Sequence, residues 1–223
     1  MNIAQPPRVR RTSVAVAVAF VLALLLSACG QAAPAAGPNG EPILPGARAN
    51  SHVLDRVGPQ APTLVEFVDL ECESCGAMYP VVEELRQHYA GKINFVVRYF
   101  PLGGHFNSMN AALAVEAAAQ QGRMEDMIGK LFENQTKWGE KKVSEAALFR
   151  SYAQELGLDL NAYDSAIASP ATKARIEEDS NDGKKMGVTG TPTFFLNGKK
   201  LELRRLTDLT DPIDKAIASG TTR

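Results

Sequence analysis

The sequence predicts an α/β fold carrying a helical insertion, and three observations support that prediction. A run of β-branched and aromatic residues at 63–70 passes directly into an amphipathic helix, and a second such run follows at 93–100. Strand, helix and strand at this spacing make a βαβ unit. Between 107 and 186 the pattern is helical, with no strand signal, and strand signals return at 193–196 and 200–203 around Asn197-Gly198. That dipeptide between apolar runs is a strong hairpin signal.

Residues 1–29 stand outside the fold. Arg8, Arg10 and Arg11 form a basic start, and 14–26 is an apolar stretch too short for a comfortable membrane span. Leu26-Ser27-Ala28-Cys29-Gly30 matches a bacterial lipoprotein junction, in which Cys29 is acylated and becomes the mature N-terminus. An ordinary secretory signal with a chance cysteine, or an uncleaved anchor, are the rival readings. Residues 30–49 are rich in Ala, Pro and Gly and read as a flexible tether that holds the domain off a membrane. The folded domain is expected over 50–223, with the helical insertion at about 107–186.

Within the domain, 51–54 reads as a short edge strand, and Gly58-Pro59 with Ala61-Pro62 mark a turn before the central strand. The run 63–70 is apolar almost throughout, as in a strand buried on both faces. In the next helix Met78, Val81, Val82, Leu85 and Tyr89 recur on one face, and Gly91 ends it. The strand at 93–100 stops at Pro101 and should lie parallel to the first, through a right-handed crossover. Helices are expected at 107–121, 124–134, from a Ser144 cap to Leu156, at 161–168 and at 171–186. The loop 135–142 holds the lone Trp138, read as a partly buried anchor. A last helix should open at Asp211, with Pro212 in its first position and Ile213, Ala216 and Ile217 facing inward.

Cys72 and Cys75 form a C-x-x-C pair where strand meets helix. Unpaired N–H groups give a helix start a partial positive charge, which stabilises a thiolate, and a thiolate is what attacks a disulfide. Cys72 sits where that field is strongest and is the better nucleophile; Cys75 is placed to resolve a mixed disulfide. A structural zinc site would need four ligands, but there is no second cysteine pair, and His52, His88 and His105 show no ligand spacing. A structural staple closing so short a loop would constrain the unfolded chain little. No metal and no cofactor are expected. With Cys29 taken by lipid, Cys72 and Cys75 are the only thiols left in the mature chain, enough for one internal disulfide in an exported protein.

The stretch Glu66-Phe67-Val68-Asp69-Leu70-Glu71-Cys72-Glu73-Ser74-Cys75, together with Val188-Thr189-Gly190-Thr191-Pro192-Thr193-Phe194-Phe195, resembles the thioredoxin superfamily. The helical insertion between the two motifs is similar to its DsbA-like thiol:disulfide oxidoreductases, and the resemblance covers about 51–218. It implies a thioredoxin fold with an inserted helical subdomain, Cys72 as the attacking cysteine and Cys75 as the resolving one. It also implies a cis bond at Thr191-Pro192, against the disulfide, that turns the Thr191 backbone toward an extended substrate chain. A trans proline at a strand start is the alternative. Glu66, six residues before Cys72, matches the place of a buried acid beneath the resolving thiol. Burial would raise its pKa and suit proton exchange with Cys75; an exposed edge position is the alternative. Asp69 shows no clear role, and His105, after Gly103-Gly104, reads as structural or capping because no partner is visible.

Between the cysteines the family's best-known member carries Pro-His, whereas this chain carries Glu73-Ser74. Glu71 and Glu73, read as exposed charges flanking Cys72, should raise its pKa by less than about one unit. The implied activity is an extracytoplasmic oxidase that exchanges its Cys72–Cys75 disulfide with thiols of exported, unfolded proteins. Such an enzyme would sit lipid-anchored on the outer face of a bacterial cytoplasmic membrane and be reoxidised by a DsbB-like or VKOR-like partner. A tethered reductase of the same fold, a non-enzymatic client-binding lipoprotein and a metal-delivery protein are the rivals. A formal net charge of −1 over 223 residues gives no footing for nucleic-acid binding.

Overall fold

The computed structural model describes residues 1–2, 36–37 and 40–220. In chain order these hold β1 (His52–Asp55), β2 (Thr63–Val68), α1 (Glu73–His88), β3 (Asn94–Tyr99), α2 (Ser108–Ala119), α3 (Met124–Glu133), α4 (Gln135–Trp138), α5 (Ala146–Glu155), α6 (Leu160–Ala168), α7 (Pro170–Lys185), β4 (Thr193–Leu196), β5 (Lys199–Lys200) and α8 (Thr207–Gly220). The basic and apolar leader and Cys29 lie outside the described residues.

The sheet order is β1-β3-β2-β4-β5. β2 and β3 are parallel across α1, as the βαβ spacing predicts, while β1 on β3, β4 on β2 and β5 on β4 are antiparallel. β2 thus has a strand on each side and layers on both faces, which is why its sequence is apolar but for Thr63 and Glu66. Leu64, Glu66 and Val68 point to one face and Val65 and Phe67 to the other. The first face meets α1 and the helical insertion in the larger apolar cluster, which includes Cys75, Val82, Leu85, Met127 and Trp138. The second face packs Val65 and Phe67 with Leu44, Val96, Phe100, Val188 and Phe195. Each large apolar side chain fully buried contributes roughly 1.5–3 kcal/mol, so the first layer carries most of the stability.

The segment expected to be a tether joins that second layer. Leu44 is only 2% exposed, and the Gly46 carbonyl accepts a hydrogen bond from Arg98 Nη1 at 2.9 Å. Arg98 is a buried cation in β3, paired with Asp179 at 2.8 Å and Asp182 at 2.7 Å on α7 and stacked on Phe67. Its pairing offsets the cost of burying the charge. The packed domain therefore starts upstream of Asn50. A single leucine among Ala, Pro and Gly has no periodicity that could announce this.

Smaller differences have local causes. β2 ends at Val68, because Asp69 leaves the ladder and accepts a hydrogen bond from Glu71 N at 2.9 Å. The 135–142 loop begins with the single turn α4, where Trp138 is fully buried and donates through Nε1 to the Leu131 carbonyl at 3.0 Å. β5 covers Lys199–Lys200 only. α8 starts at Thr207, a turn before Asp211, so Pro212 lies inside it rather than at its first position. A proline this near a helix start removes few bonds, which makes the earlier start tolerable. The Asn197-Gly198 hairpin is present, with both residues at positive φ (51° and 78°), as a type I′ turn requires.

Candidate active site

Cys72 is the residue before α1, and Cys75 lies in the first turn of that helix. Cys72 is 7% exposed and Cys75 1%, and both are free thiols. Opposite them, the Thr191-Pro192 peptide bond is cis. The Cys72 thiol donates to the Thr191 carbonyl at 3.4 Å, and the Thr191 hydroxyl is buried with no partner of its own. The two motifs, more than a hundred residues apart in the chain, thus meet at one sulfur.

The two thiols differ in their chemistry. The Cys72 pKa falls to about 5, chiefly through the thiol of Cys75 beside it. Burial opposes that shift, while Thr191 and the backbone N–H groups of Cys75 and Ser74 add to it. Cys75 moves far the other way, because of burial first, then Cys72 and then the charge of Glu66. One sulfur at the surface edge favours the thiolate, and the one beneath it stays protonated.

Glu66 lies on the β2 face that packs against α1, buried and not at an exposed edge. Its pKa rises from an ordinary 4.5 to about 8, through burial first and then the charge of Glu83, with Arg86 pulling back. Arg86 is spent elsewhere: it bridges Asp55 at 2.6 Å, Glu83 at 2.9 Å and Glu125 at 2.8 Å. The carboxyl whose charge acts on Cys75 therefore holds a proton near neutral pH.

Several residues at the site were not legible as functional. Asp69 is buried and accepts from Glu71 N at 2.9 Å, Leu102 N at 2.9 Å, Ser108 Oγ at 2.6 Å and His105 Nδ1 at 2.8 Å. His105 therefore has a partner, and it is not a cap: α2 begins at Ser108. Glu71 is not an exposed flanking charge but fully buried, accepting from Asn107 N at 2.5 Å and Glu140 N at 3.1 Å. Its pKa is raised, with burial the largest cause. Gln135 on α4 donates to the carbonyls of Leu70 at 2.8 Å and Cys72 at 3.0 Å, fixing the turn that carries Cys72. Gly76 leaves room for it, since a Cβ there would lie 2.3 Å from Gln135 Oε1. Glu73, His105 and Glu140 bring one donor atom each within 4.8 Å of one another. Spacing analysis missed this group because its members come from three separate segments. Both carboxylates are exposed, and such a surface grouping does not by itself make a metal site.

A dithiol at the head of the β2–β3 crossover helix, faced by a cis proline at the start of β4, defines a thioredoxin-fold site. Comparison with known proteins leads to the same class. A family model described as thioredoxin matches residues 58–215, and the chain belongs to that family. Among solved structures, α-DsbA1 of Wolbachia pipientis superposes with a TM-score of 0.68 at 23% identity, covering 77% of this chain and 93% of that one. BdbD of Bacillus subtilis gives 0.66 at 23% identity, over 75% and 93%. A thioredoxin-like oxidoreductase of Silicibacter pomeroyi DSS-3 gives 0.62 at 28% identity, over 75% and 92%. The fold is DsbA-like, helical insertion included. Among curated proteins, the Na(+)/H(+) antiporter NhaA 1 of Mycobacterium sp. (strain KMS) is 37% identical over 151 residues, 65% of this chain and 23% of that protein. The antiporter NhaA of Herminiimonas arsenicoxydans is 36% identical over 139 residues, 62% and 21%. The chain spans less than a quarter of the length of these relatives.

Proposed function

We propose that the protein is an extracytoplasmic thiol:disulfide oxidoreductase that exchanges a Cys72–Cys75 disulfide with thiols of exported proteins, working as an oxidase. The contrast between the two thiols carries this reading. A Cys72 pKa near 5 means that the reduced enzyme is stabilised as its thiolate, and a stabilised reduced form makes the disulfide a stronger oxidant.

A client thiolate attacks Cys72 and the Cys72–Cys75 bond breaks, leaving its electron pair on Cys75. Glu66, protonated and below, gives its proton to that sulfur and regains one from solvent. A second client thiolate then attacks the client sulfur of the mixed disulfide, forming the client's disulfide and releasing Cys72 as a thiolate. Two electrons pass from client to enzyme. The two client thiols lose two protons, matched by one taken up at Cys75 and one released to solvent. The unpartnered Thr191 hydroxyl is a donor available to the departing Cys72 thiolate. Phe106 and Val143, 52% and 62% exposed, follow His105 and Glu140 in the chain and would offer apolar contact to an unfolded client.

The test is equilibration with glutathione. An oxidase should show a potential above about −180 mV, and one near about −270 mV would make the protein a reductase. Cys72→Ser should abolish dithiol oxidation; a variant that keeps full activity would refute the assignment.

The protein's setting is part of the same proposal: acylation at Cys29, anchorage on the outer face of the cytoplasmic membrane, and reoxidation by a DsbB-like or VKOR-like membrane partner. Fatty-acid labelling that leaves the wild type unlabelled but for background would overturn the anchor. Ion transport is not carried over from the antiporters' name, since the similarity covers only 23% of such a protein.

A further inference from the structure

Asp69 is the residue at which the chain leaves β2, and its side chain is 0% exposed. Its carboxylate gathers the active-site turn, through Glu71 N, and the connection after β3, through Leu102 N, His105 Nδ1 and Ser108 Oγ. A buried carboxylate with this many donors holds its partners rigidly.

The His105 ring is bounded by carboxylates. Nδ1 lies 2.8 Å from Asp69, Nε2 lies 3.8 Å from Glu140, and a ring nitrogen lies within 4.8 Å of a Glu73 oxygen. Glu71 and Cys72 are the other charged neighbours acting on it. Lys141, next in sequence to Glu140, is turned to Glu145 at 2.8 Å. Burial works against an imidazolium, but Asp69 in the first place, with Glu71 and Cys72, holds the His105 pKa above its ordinary value.

Glu73 directly follows Cys72 and opens α1, so the imidazole stands at the helix end that presents the nucleophile. Coupling between two charges is reciprocal: a thiolate that favours the imidazolium is favoured by it to the same degree. We propose that the Asp69–His105 pair is a positioning element of the redox site, placing a cation that stabilises the Cys72 thiolate and sets the oxidising power of the Cys72–Cys75 couple. Without it, Glu73, the carboxylate next to Cys72, would lose the imidazolium beside it. As pH rises through the imidazole titration the cation is lost, and the disulfide becomes a weaker oxidant than proton uptake alone dictates.

This inference rests on reading Cys72 and Cys75 as a redox pair. The experiment uses the full-length protein. NMR titration of His105 should give a higher imidazole pKa in the reduced protein than in the oxidised one; equal values would overturn the proposal. Equilibration with glutathione at pH 7 should show His105→Gln favouring the oxidised enzyme by roughly three- to tenfold relative to wild type. Glutamine can still hydrogen-bond Asp69, so a purely structural role predicts no such shift, and an unchanged equilibrium and pH profile would also overturn the proposal. Asp69→Asn should lower the imidazole pKa; if that variant does not fold, the two His105 measurements decide alone. Failure to form any reversible disulfide with glutathione would instead overturn the redox reading itself.

Discussion

Replacing Glu66 by Gln should stabilise the oxidised protein and remove a specific pH dependence. A group whose pKa is raised on folding binds more protons folded than unfolded, so stability falls as pH rises between the two values. For Glu66 that window runs from 4.5 to about 8. At pH 7 the unfolded carboxyl is about 2.5 units above its pKa while the folded one remains mostly protonated. At about 1.36 kcal/mol per unit, the wild type forfeits about 3 kcal/mol there. Glutamine is neutral at every pH and nearly isosteric, so it mimics the protonated acid. The disulfide form isolates the effect, because neither cysteine titrates in it and none of the largest causes of the Glu66 shift is a cysteine. Urea unfolding of oxidised wild type and variant from pH 4.5 to 8.5 is the assay. The two should agree near pH 4.5 and diverge to about 3 kcal/mol by pH 7, with the variant the more stable. Parallel curves would show that Glu66 is ionised in the folded protein and refute its role as proton donor to Cys75.

Other outcomes follow from the same contacts. In the reduced protein, alkylation at pH 7 should label Cys72 well before Cys75, because only Cys72 has its pKa lowered, to about 5; equal rates would sink the assigned roles. Leu44→Ala should cost about 2–5 kcal/mol in denaturant unfolding if residues 40–49 belong to the core, and nothing if they form a tether. Gly183→Ala would set a Cβ 2.8 Å from Phe67 Cε1 and 2.9 Å from Phe100 Cδ2, and should cost about 1–3 kcal/mol by overpacking two buried rings.

The sequence displayed what depends on near neighbours. Periodicity located the crossover helix, an asparagine–glycine pair located the hairpin, and two cysteines at a helix start located the candidate site. What stayed hidden depends on partners far along the chain. Asp69 meets groups 33 to 39 residues away, and Gln135 reaches back 63 residues to the Cys72 carbonyl. Leu44 finds its place against Val65 and Phe67 without any local pattern. Glu71 is one residue from Cys72 and reads as a surface charge, because nothing nearby reveals the Asn107 and Glu140 amides that meet it.

Glu66 and Asp69 show why residue type alone could not assign the roles. Both are acids in the same apolar run, and they differ in the donors that reach them. Asp69 collects backbone amides, a hydroxyl and an imidazole, so it holds the His105 ring near the start of α1. Glu66 faces the apolar layer under α1, with the charge of Glu83 adding to the cost of ionisation, so it keeps a proton near neutral pH. The two tasks exclude each other. Donors around Glu66 would stabilise its carboxylate, lower its pKa and leave no proton to pass to Cys75. Stripping the donors from Asp69 would loosen the turn and connection it gathers and release the imidazole it holds. With one acid inside β2 and starved of donors, and the other at the strand's exit and saturated with them, the proposed mechanism can move a proton to Cys75 while His105 is held at the start of α1.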